Sequence, residues 1–429
     1  MTERSLSQWL QELEARHPTE IELGLDRVTA VAQQLGLLPF PASVITVAGT
    51  NGKGSVAAVC EAGLVAAGTR VGVYTSPHFL AFNERIRIDG LPVPDGMITD
   101  AFASIDAARA NVSLTYFEMA TLAALVVFAR VGVEMAVLEV GLGGRLDAVN
   151  IVDPTVAVIT RIDLDHQDWL GDTRELIGAE KAGILRSNSP AVIADREPPD
   201  SLLRPGAASQ YLVIGRDWQS ETSGAGHKLQ LQAAGEALPL MLDGPASLYA
   251  ENVGAALQAL LLAGVDITAA PVLASVSALQ VTGRLQHVAH EEVDVVMDVA
   301  HNPAAVHKLH EHLISNPCEG RTIALFNAMS DKDLHGMIRA CGEGFDAWFL
   351  ADLPGVARAA RASDLAAIVH ESGGHMISVS KNVTQAWRRV FTLLQTGDRL
   401  VVFGSFFTVA AALACLQKDR AKQARHHTA

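Results

Sequence analysis

The sequence predicts an α/β fold built around a largely parallel sheet. Short apolar, β-rich runs alternate with longer segments of helical periodicity, which is the pattern of strands joined by helices. The strand candidates 134–140 and 155–160 are nearly continuous apolar runs, as expected for strands covered on both faces. The chain has 429 residues, 49% of them hydrophobic and 19% charged. This length suggests about two or three domains, and the composition excludes an extended disordered protein.

The elements of the first part are predicted from their periodicity. The strand candidates are 43–47, 69–74, 134–140, 155–160 and 190–194, and the helix candidates are 55–67, 117–130 and 173–185. Proline and glycine punctuate residues 197–246, which predicts surface strands and loops there. An amphipathic helix is then predicted at Ala250–Leu262.

A second alternation of strands and helices follows. Its strands are predicted at 293–299, 321–326, 347–351, 376–379 and 399–403, with a helix at 303–313 and further helices between the later strands. We place the boundary between two domains near residue 287, which divides the chain into 1–286 and 287–429.

Charge and cysteine content exclude several classes of function. The 33 Lys and Arg against 47 Asp and Glu give a net charge of −14, which repels nucleic acid and anionic membranes. The four cysteines are far apart, so they form no zinc ribbon or redox motif, and we expect them to be reduced and buried in a cytoplasmic protein. Residues 1–17 are charged and helical in pattern, without the apolar core of a secretory signal. The uncharged run 400–417 is interrupted by Gly404, Ser405 and Thr408, and predicts a strand, a turn and a helix rather than a membrane span.

The sharpest motif is residues 49–55, which read Gly-Thr-Asn-Gly-Lys-Gly-Ser. The motif follows a strand candidate and opens a helix, where backbone N–H groups and the helix N-terminus bind phosphate. Lys53 would add charge at the terminal phosphates, and Ser55 could approach a metal ion. The spacing differs from the common P-loop, since Val47 occupies the position of its first glycine. The alternative is a simple glycine turn between strand and helix.

A second polar cluster follows two other strand candidates. Glu139 ends an apolar strand and precedes the glycine-rich run 141–147, so a cation or an ion-pair partner such as Arg145 is expected beside it. This run fails the dinucleotide fingerprint because Leu146 occupies its last glycine position. After the next strand come three aspartates and His166, within 163–168. Ligands bind at the carboxyl ends of strands in such sheets, so this cluster suits Mg²⁺, with His166 either a general base or a structural side chain.

Two further polar positions leave alternatives open. Lys181 lies on a predicted helix, where a lysine is usually solvated. Asp298 ends a strand candidate before a helix, and it suits either a sugar hydroxyl or the N-cap of that helix.

Taken together, seven strings resemble bacterial folylpolyglutamate synthases, and most closely the bifunctional dihydrofolate synthase/folylpolyglutamate synthases. They are 49–55, 76–78, 139–150, 165–171, 180–184, 283–284 and 298–303. The resemblance extends from about residue 21 to residue 404. It implies a P-loop, Mur-ligase-like domain with a mostly parallel sheet and a pteroate site, and a smaller Rossmann-like glutamate-ligase domain at the C-terminus.

The resemblance also implies the reaction. Such ATP-dependent amide ligases transfer the γ-phosphate of ATP to a substrate carboxylate, and the amino group of L-glutamate then attacks the acyl phosphate. ADP and phosphate are released. The implied ligands are ATP, two Mg²⁺ ions, a monovalent cation, dihydropteroate, reduced folates and L-glutamate, bound by a monomer, with no nucleic acid and no membrane as partners.

Roles carry over from the family motif by motif. The phosphates of ATP would contact Thr50, Asn51, Gly52, Lys53 and Gly54, with Ser55 nearby, and the metal ligands would be Ser76, Glu139 and His166. Lys181 would be the lysine that such enzymes carboxylate to a carbamate, and the catalytic set would be Lys53, Lys181 and His166. Asn252 and Arg284 would reach ATP, and Asp298 and His301 would contact its ribose or adenine, so that the site would lie between the domains and closure would complete it.

The pteroate pocket of bifunctional relatives matches three segments here. They contain Glu22, Leu23 and Gly24; Thr115, Tyr116, Phe117 and Glu118; and Leu146, Asp147 and Ala148. Tyr116 or Phe117 could pack on the pterin, and a carboxylate could accept its N–H groups. The alternative for Phe117 is an ordinary core aromatic. Val149 and Glu251 depart from the family's usual residues without touching an assigned position.

Three rival functions remain at this stage. A Mur ligase acting on a UDP-sugar would need an additional N-terminal domain, and only 48 residues precede Gly49. A folylpolyglutamate synthase without dihydrofolate synthase activity is a closer rival, since the 114–118 string favours the bifunctional enzyme only moderately. A nucleotide-binding regulator would not need the strand-end cluster with Glu139 and His166.

Overall fold

The computed structural model of the chain describes residues 4–16, 22–224, 226–243 and 248–427. Two compact units are present, Met1–Leu279 and Gln280–Ala429. Each has its own mostly parallel sheet, which confirms the predicted fold class. The predicted boundary at 287 falls inside the first strand of the second unit, Gln286–His290.

The first unit is organised around an eight-stranded sheet. Its strands are β1 Ser43–Ala48, β2 Val71–Tyr74, β3 Ile86–Ile88, β4 Leu91–Pro92, β5 Met135–Glu139, β6 Val156–Ile159, β7 Ala191–Ile193 and β8 Tyr211–Val213. The strand order is β4-β3-β2-β5-β1-β6-β7-β8. Strand β1 lies between β5 and β6 and pairs with both in parallel. The antiparallel edge formed by β3 and β4 was not predicted, because strands of two or three residues are too short to show a period.

Helices cover this sheet. They are α1 Leu6–Arg16, α2 Asp26–Gln34, α3 Lys53–Ala66, α4 Asp95–Ala108, α5 Tyr116–Val131, α6 Gln167–Leu170, α7 Arg174–Lys181, α8 Ala250–Leu262 and α9 Ala270–Ser277. The residues of β1 after Ser43 are all buried, and so is α5 from Glu118 to Phe128, which explains why both segments are mostly apolar. The predicted helix 173–185 ends earlier, at Lys181, and continues as a 3₁₀ turn. A Cβ on Gly183 would lie 2.3 Å from Cβ of Arg145, so the chain packs closely on that loop.

Residues 197–246 were predicted to form surface strands and loops, of which 225 and 244–246 lie outside the described residues. The described part contains an antiparallel sheet of three strands, β9 Gln219–Ser223, β10 Gly226–Ala233 and β11 Glu236–Leu242. Alternating buried and exposed residues along β10 are typical of a sheet with one face in solvent.

The second unit contains a six-stranded sheet with five helices. Its strands are β12 Gln286–His290, β13 Val293–Met297, β14 Thr322–Phe326, β15 Ala347–Ala351, β16 Ile377–Ser380 and β17 Arg399–Phe403, in the order β12-β13-β17-β14-β15-β16. Its helices are α10 Pro303–Ser315, α11 Leu334–Ala340, α12 Ala362–Glu371, α13 Val383–Phe391 and α14 Phe406–His427. Only β12 is antiparallel to its neighbour. The uncharged run 400–417 forms β17, a turn and the start of α14, as predicted.

Two expectations about the chain as a whole can be compared with the structure. Across the described segments, no helix combines the length and the hydropathy that crossing a bilayer requires. All four cysteines are free thiols, and three of them are buried, but Cys318 is only partly buried, against the prediction.

Candidate active site

The loop after β1 lies at the edge of the sheet where three neighbouring strands end. Val47 pairs with Glu139 of β5, and Ala48 pairs with Ile159 of β6. The segments that follow these strands therefore emerge side by side. Parallel sheets bind ligands at this edge, and the predicted phosphate loop, Glu139 and the segment 160–166 all lie there.

Close packing explains two glycines of this loop. Gly49 has φ +144°, and a Cβ there would lie 1.7 Å from Oγ1 of Thr160. Gly52 has φ +97°, and its Cβ would lie 2.4 Å from Oδ1 of Asn252 on α8. Asn252 thus lies against the loop, and its contact with ATP remains a prediction. Since Gly52 is the N-cap residue of α3 and carries no side chain, it leaves this helix N-terminus without a side-chain cap.

Two lysines converge on one backbone carbonyl of the loop. Nζ of Lys53 donates to the carbonyl oxygens of Gly49 at 3.0 Å and Thr50 at 3.2 Å. Nζ of Lys181 donates to the same oxygen of Gly49 at 2.9 Å. Lys181 is 4% exposed, so the interpretation as a solvated lysine is wrong. Burial, and then the charge of Lys53, lower the pKa of Lys181 to about 7, against weaker opposing effects of Asp165 and Asp147.

The segment after β6 fixes the phosphate loop. Oγ1 of Thr50 donates to the carbonyl oxygen of Asp163 at 3.1 Å and accepts the Asp163 N–H at 3.0 Å. Thr160 and Asp163 therefore support the loop. The sequence pointed to Asp163 only as one member of an acidic cluster, and Thr160 could not be found without the strand pairing.

Glu139 is a buried carboxylate, 3% exposed, at the end of β5. Its Oε2 accepts the backbone N–H of Ser76 at 3.1 Å, which places two of the predicted metal ligands side by side. Arg145 pairs instead with Glu180, at 2.8 Å, so it is not the partner of Glu139. A carboxylate beside a serine at a strand end is the kind of oxygen ligand that Mg²⁺ prefers, and it leaves coordination positions for water. These residues fit a magnesium ion.

His166 is an exposed side chain in an unusual backbone conformation. It has φ 52° and ψ 41°, which L residues rarely adopt, and it precedes α6. Its N–H donates to Oδ1 of the buried Asp165 at 2.8 Å, and its Nε2 lies 3.9 Å from Oδ2 of that residue. The described residues hold no cluster of three or more His, Cys, Asp or Glu side chains suited to a metal. The predicted set includes only two such side chains, so it remains a prediction.

The first two pteroate segments are linked through one arginine. Arg27 forms ion pairs with Glu22 and, at 3.2 Å, with Glu118. Glu118 also accepts the Thr115 N–H at 2.7 Å, and its own N–H donates to Oγ1 of Thr115 at 3.1 Å, which is a capping box at the start of α5. Glu118 is thus held by Arg27 and by the start of α5.

The third segment meets the second at Phe117. A Cβ on Gly141 would lie 2.6 Å from Cζ of Phe117, so the glycine-rich loop passes against this half-buried ring. Asp147 is 2% exposed and accepts the N–H groups of Gly141, Leu142 and Val149 at 2.9–3.0 Å. Burial raises the pKa of Asp147 to about 6, although these N–H groups oppose the shift. Leu23, Gly24 and Leu146 are half-buried, and Ala148 is buried.

The remaining predicted residues lie in the second unit, at the end of β13. Asp298 accepts the N–H groups of Leu285 and Ala300, both at 2.8 Å, and burial raises its pKa. The N-cap of α10 is Asn302, whose Oδ1 accepts the Ala305 N–H at 2.9 Å, so the N-cap interpretation of Asp298 is wrong. Two other predicted ligands lie in this region. The Arg284 guanidinium stacks on Phe406 at 5.1 Å, and Nδ1 of His301 lies 2.8 Å from the carbonyl oxygen of Val299.

Comparisons with known proteins agree on one family. The Mur ligase middle domain matches residues 47–204, and the Mur ligase glutamate ligase domain matches residues 283–406. The dihydrofolate synthase/folylpolyglutamate synthase of Escherichia coli K12 is 40% identical over 427 residues, which cover 97% of this chain and 96% of the relative.

Solved structures give the same result. E. coli FolC in complex with DHPP and ADP matches with a TM-score of 0.89 and 38% identity over 97% of this chain and 99% of that one. A bifunctional folylpolyglutamate synthase/dihydrofolate synthase with Mn, AMPPNP and L-glutamate bound matches with a TM-score of 0.86 and 40% identity over 96% and 98% of the two chains.

Proposed function

The chain belongs to the dihydrofolate synthase/folylpolyglutamate synthase family of Mur ligases, and we propose that it catalyses both ATP-dependent reactions of that name. It would join L-glutamate to dihydropteroate, forming dihydrofolate, and add further glutamates to reduced folates. The observation that carries this proposal is the convergence of Lys53 and Lys181 on the Gly49 carbonyl, in a loop that opens a helix beside the buried Glu139.

The proposed reaction has two steps. A carboxylate oxygen of the substrate attacks the γ-phosphorus of ATP, the bond to the β-phosphate oxygen breaks, and ADP leaves. The amino nitrogen of L-glutamate then attacks the acyl carbon and loses a proton. The bond between that carbon and the phosphate oxygen breaks, and phosphate leaves. Phosphorylation is needed because a carboxylate is a poor electrophile, and phosphate is a much better leaving group.

The phosphate loop would bind the nucleotide in the first step. The N–H of Thr50 donates to the carbonyl oxygen of Arg161 at 2.9 Å, so the backbone N–H groups of 51–54 and the N-terminus of α3 would contact the phosphates. Lys53 would move its ammonium group from the loop carbonyls to them. Since two anions must approach each other, this charge favours the transition state. Asn252 lies against Gly52, which supports its proposed contact with ATP.

Lys181 would act as a carbamate. A neutral amine attacks carbon dioxide and loses a proton, and the lowered pKa of about 7 supplies that neutral amine near physiological pH. The product would be an anion in place of a cation beside Lys53, which removes their mutual repulsion.

Ser76, Glu139 and His166 would hold Mg²⁺, which in such a site neutralises phosphate charge. The N–H of Ser76 on Glu139 supports the first two ligands. The implied two Mg²⁺ ions and monovalent cation, together with the ribose or adenine contacts of Asp298, His301 and Arg284, are parts of the same proposal.

The pterin would contact Asp147 and the rings of Tyr116 and Phe117, beside the segments 22–24 and 146–148. We place the reaction in the cytoplasm, with the enzyme as a monomer; the four free thiols support a reducing compartment.

The test is ADP formation by the full chain with ATP, Mg²⁺ and L-glutamate, after addition of either dihydropteroate or a reduced folate. Turnover with both, dependent on glutamate and lost without Mg²⁺, is expected. Turnover with the folate alone would make the chain a folylpolyglutamate synthase only. Lack of turnover with both would contradict the proposal and reopen the Mur-like and regulatory alternatives.

A further inference from the structure

Arg85 is a buried arginine that has no carboxylate partner among the described residues. It ends the 3₁₀ turn Phe82–Arg85 and is 9% exposed. Its Nε donates to Nδ1 of His78 at 2.9 Å. Within the described ranges of the chain, no carboxylate lies at ion-pair distance from it, and neither Nη group donates a hydrogen bond to the protein. A buried charge of this kind is costly unless something compensates it.

The nearest acids along the chain have other partners. Glu84 accepts the backbone N–H groups of residues 79–81 at 2.7–2.8 Å. Glu61 pairs with Arg87 at 2.8 Å, and Arg87 also donates to Oγ1 of Thr75. Arg87 therefore has a full set of partners. Two residues earlier, Arg85 pairs with no group of opposite charge in the described chain.

Two aromatic rings hold the Arg85 guanidinium in place. Its central carbon lies 5.6 Å from the ring centroid of Phe82 and 5.5 Å from that of Tyr116. Since Nε donates its hydrogen bond to His78, the N–H groups of Nη1 and Nη2 remain as a planar fork. These two nitrogens are not among the fully enclosed, unpaired atoms of the described chain, so they keep accessible surface. Such a fork fits the two oxygens of a carboxylate.

Arg85 lies between the proposed metal ligands Ser76 and Glu139 and the proposed pteroate pocket at Tyr116. Its carbonyl oxygen accepts the N–H of Thr75 at 3.0 Å, and the next residue, Ser76, donates its N–H to Glu139. On the other side, Arg85 contacts Tyr116 of the proposed pteroate pocket. A substrate whose pterin lies at Tyr116 and whose reacting end points to Glu139 would carry its carboxylate past Arg85.

We propose that the Nη1 and Nη2 groups of Arg85 bind the carboxylate of the pteroate or folate substrate that becomes phosphorylated. This inference rests on the proposed function and adds the residue that recognises the reacting group. The arginine would compensate the substrate's charge while ATP approaches, and would orient one carboxylate oxygen towards the γ-phosphorus. No carboxylate of the described residues has to be displaced first, so the fork is preorganised.

The test compares binding of dihydropteroate with binding of its neutral carboxamide, by titration calorimetry on the full chain in EDTA without nucleotide. These conditions remove any metal contribution to carboxylate binding. The wild-type protein should prefer the carboxylate by about tenfold or more, as expected for charge-assisted hydrogen bonds. In Arg85→Gln this preference should fall to about twofold or less, with affinity for the carboxamide unchanged. Arg87→Gln is the matched control and should keep the wild-type preference.

Three outcomes would contradict the inference, and one would contradict the proposed function on which it rests. If Arg85→Gln keeps the preference, the fork does not bind the carboxylate. If both affinities fall together, Arg85 only supports the pocket. If Arg85→Gln does not fold, Arg85→Lys replaces it. Its preference for the carboxylate should be reduced but still above twofold, since the charge remains and the planar fork is lost. An unchanged preference would contradict binding by the fork. A wild-type protein that binds neither ligand and shows no turnover would instead refute the proposed function.

Discussion

At the scale of single residues, the carbonyl oxygen of Gly49 is the point at which the two lysine side chains of the site meet. It accepts hydrogen bonds from both Lys53 and Lys181. The sequence predicted a role for Lys53 from its place in the loop. It could not predict the burial of Lys181, because only the fold brings α7 next to the loop after β1.

Replacement of Lys53 by Ala should reduce kcat/KM by at least about a hundredfold, since the charge that stabilises the transferring phosphoryl group is lost. Steady-state ADP release measures this effect. Lys228→Ala, an exposed lysine on β10 of the same unit, is the control and should have wild-type activity. Near-normal turnover of Lys53→Ala would exclude the phosphate-loop assignment.

Replacement of Lys181 by Ala should also lower activity, because the proposed carbamate could no longer form. A short carboxylic acid such as acetate should restore part of the rate by supplying a carboxylate in the space left by the side chain. The same acid should not rescue Lys53→Ala. A Lys181→Ala enzyme with full activity would show that the carbamate has no role.

The lowered pKa of Lys181 also predicts a pH dependence of stability. Between about pH 7 and pH 10.5 the unfolded lysine binds a proton that the folded one does not. The free energy of unfolding should therefore rise with pH in this window, by up to about 1.4 kcal/mol per pH unit from this group. Urea unfolding in buffer free of carbon dioxide, compared with Lys181→Met, measures it. A difference between the two proteins that is constant from pH 7 to 9 would contradict the shift.

At the scale of elements, the phosphate loop depends on its contact with α8. Gly52→Ala would force an L residue into φ +97° and place its Cβ 2.4 Å from Oδ1 of Asn252. We expect a loss of about 1–3 kcal/mol in unfolding free energy together with weaker ADP binding. Gly68→Ala is the control. It has a similar φ of +78° but no atom within 4 Å of the added Cβ, so it should lose stability without losing ADP affinity. Equal ADP affinity in both variants would show that Asn252 does not constrain the loop.

At this scale, helices and strands could be predicted from the sequence where an apolar pattern extends over several residues and ends at clear turn residues. Helix α8 has the predicted bounds, and β15 and β17 do as well, since each is an apolar run of ordinary length. The edge strands β3 and β4 were missed, although β3 begins directly after Arg85. Their short pairs carry no periodic signal, and their positions are set by pairing with β2.

At the scale of the whole molecule, the motifs allowed the family and the site edge to be predicted. The strand order explains why, since segments following β1, β5 and β6 must meet if those strands are neighbours. What could not be predicted was which polar groups the protein itself uses. Glu118 is held by Arg27 and a capping box, whereas Arg85 pairs with no acid in the described part of the chain. Both facts require side-chain positions.

The same strand order has a consequence for synthesis of the chain. Strand β1 pairs with β5 and β6, so Ser43 meets Met135 and Ala48 meets Ile159. At about 5–20 residues per second, an apolar central strand must wait several seconds for its neighbours to leave the ribosome. We therefore expect nascent chains to become protease-resistant in this region only after β6 has emerged, as arrested chains of increasing length would show. Protection before β5 has emerged would contradict this. Until then, chaperones at the ribosome would have an exposed apolar strand to bind.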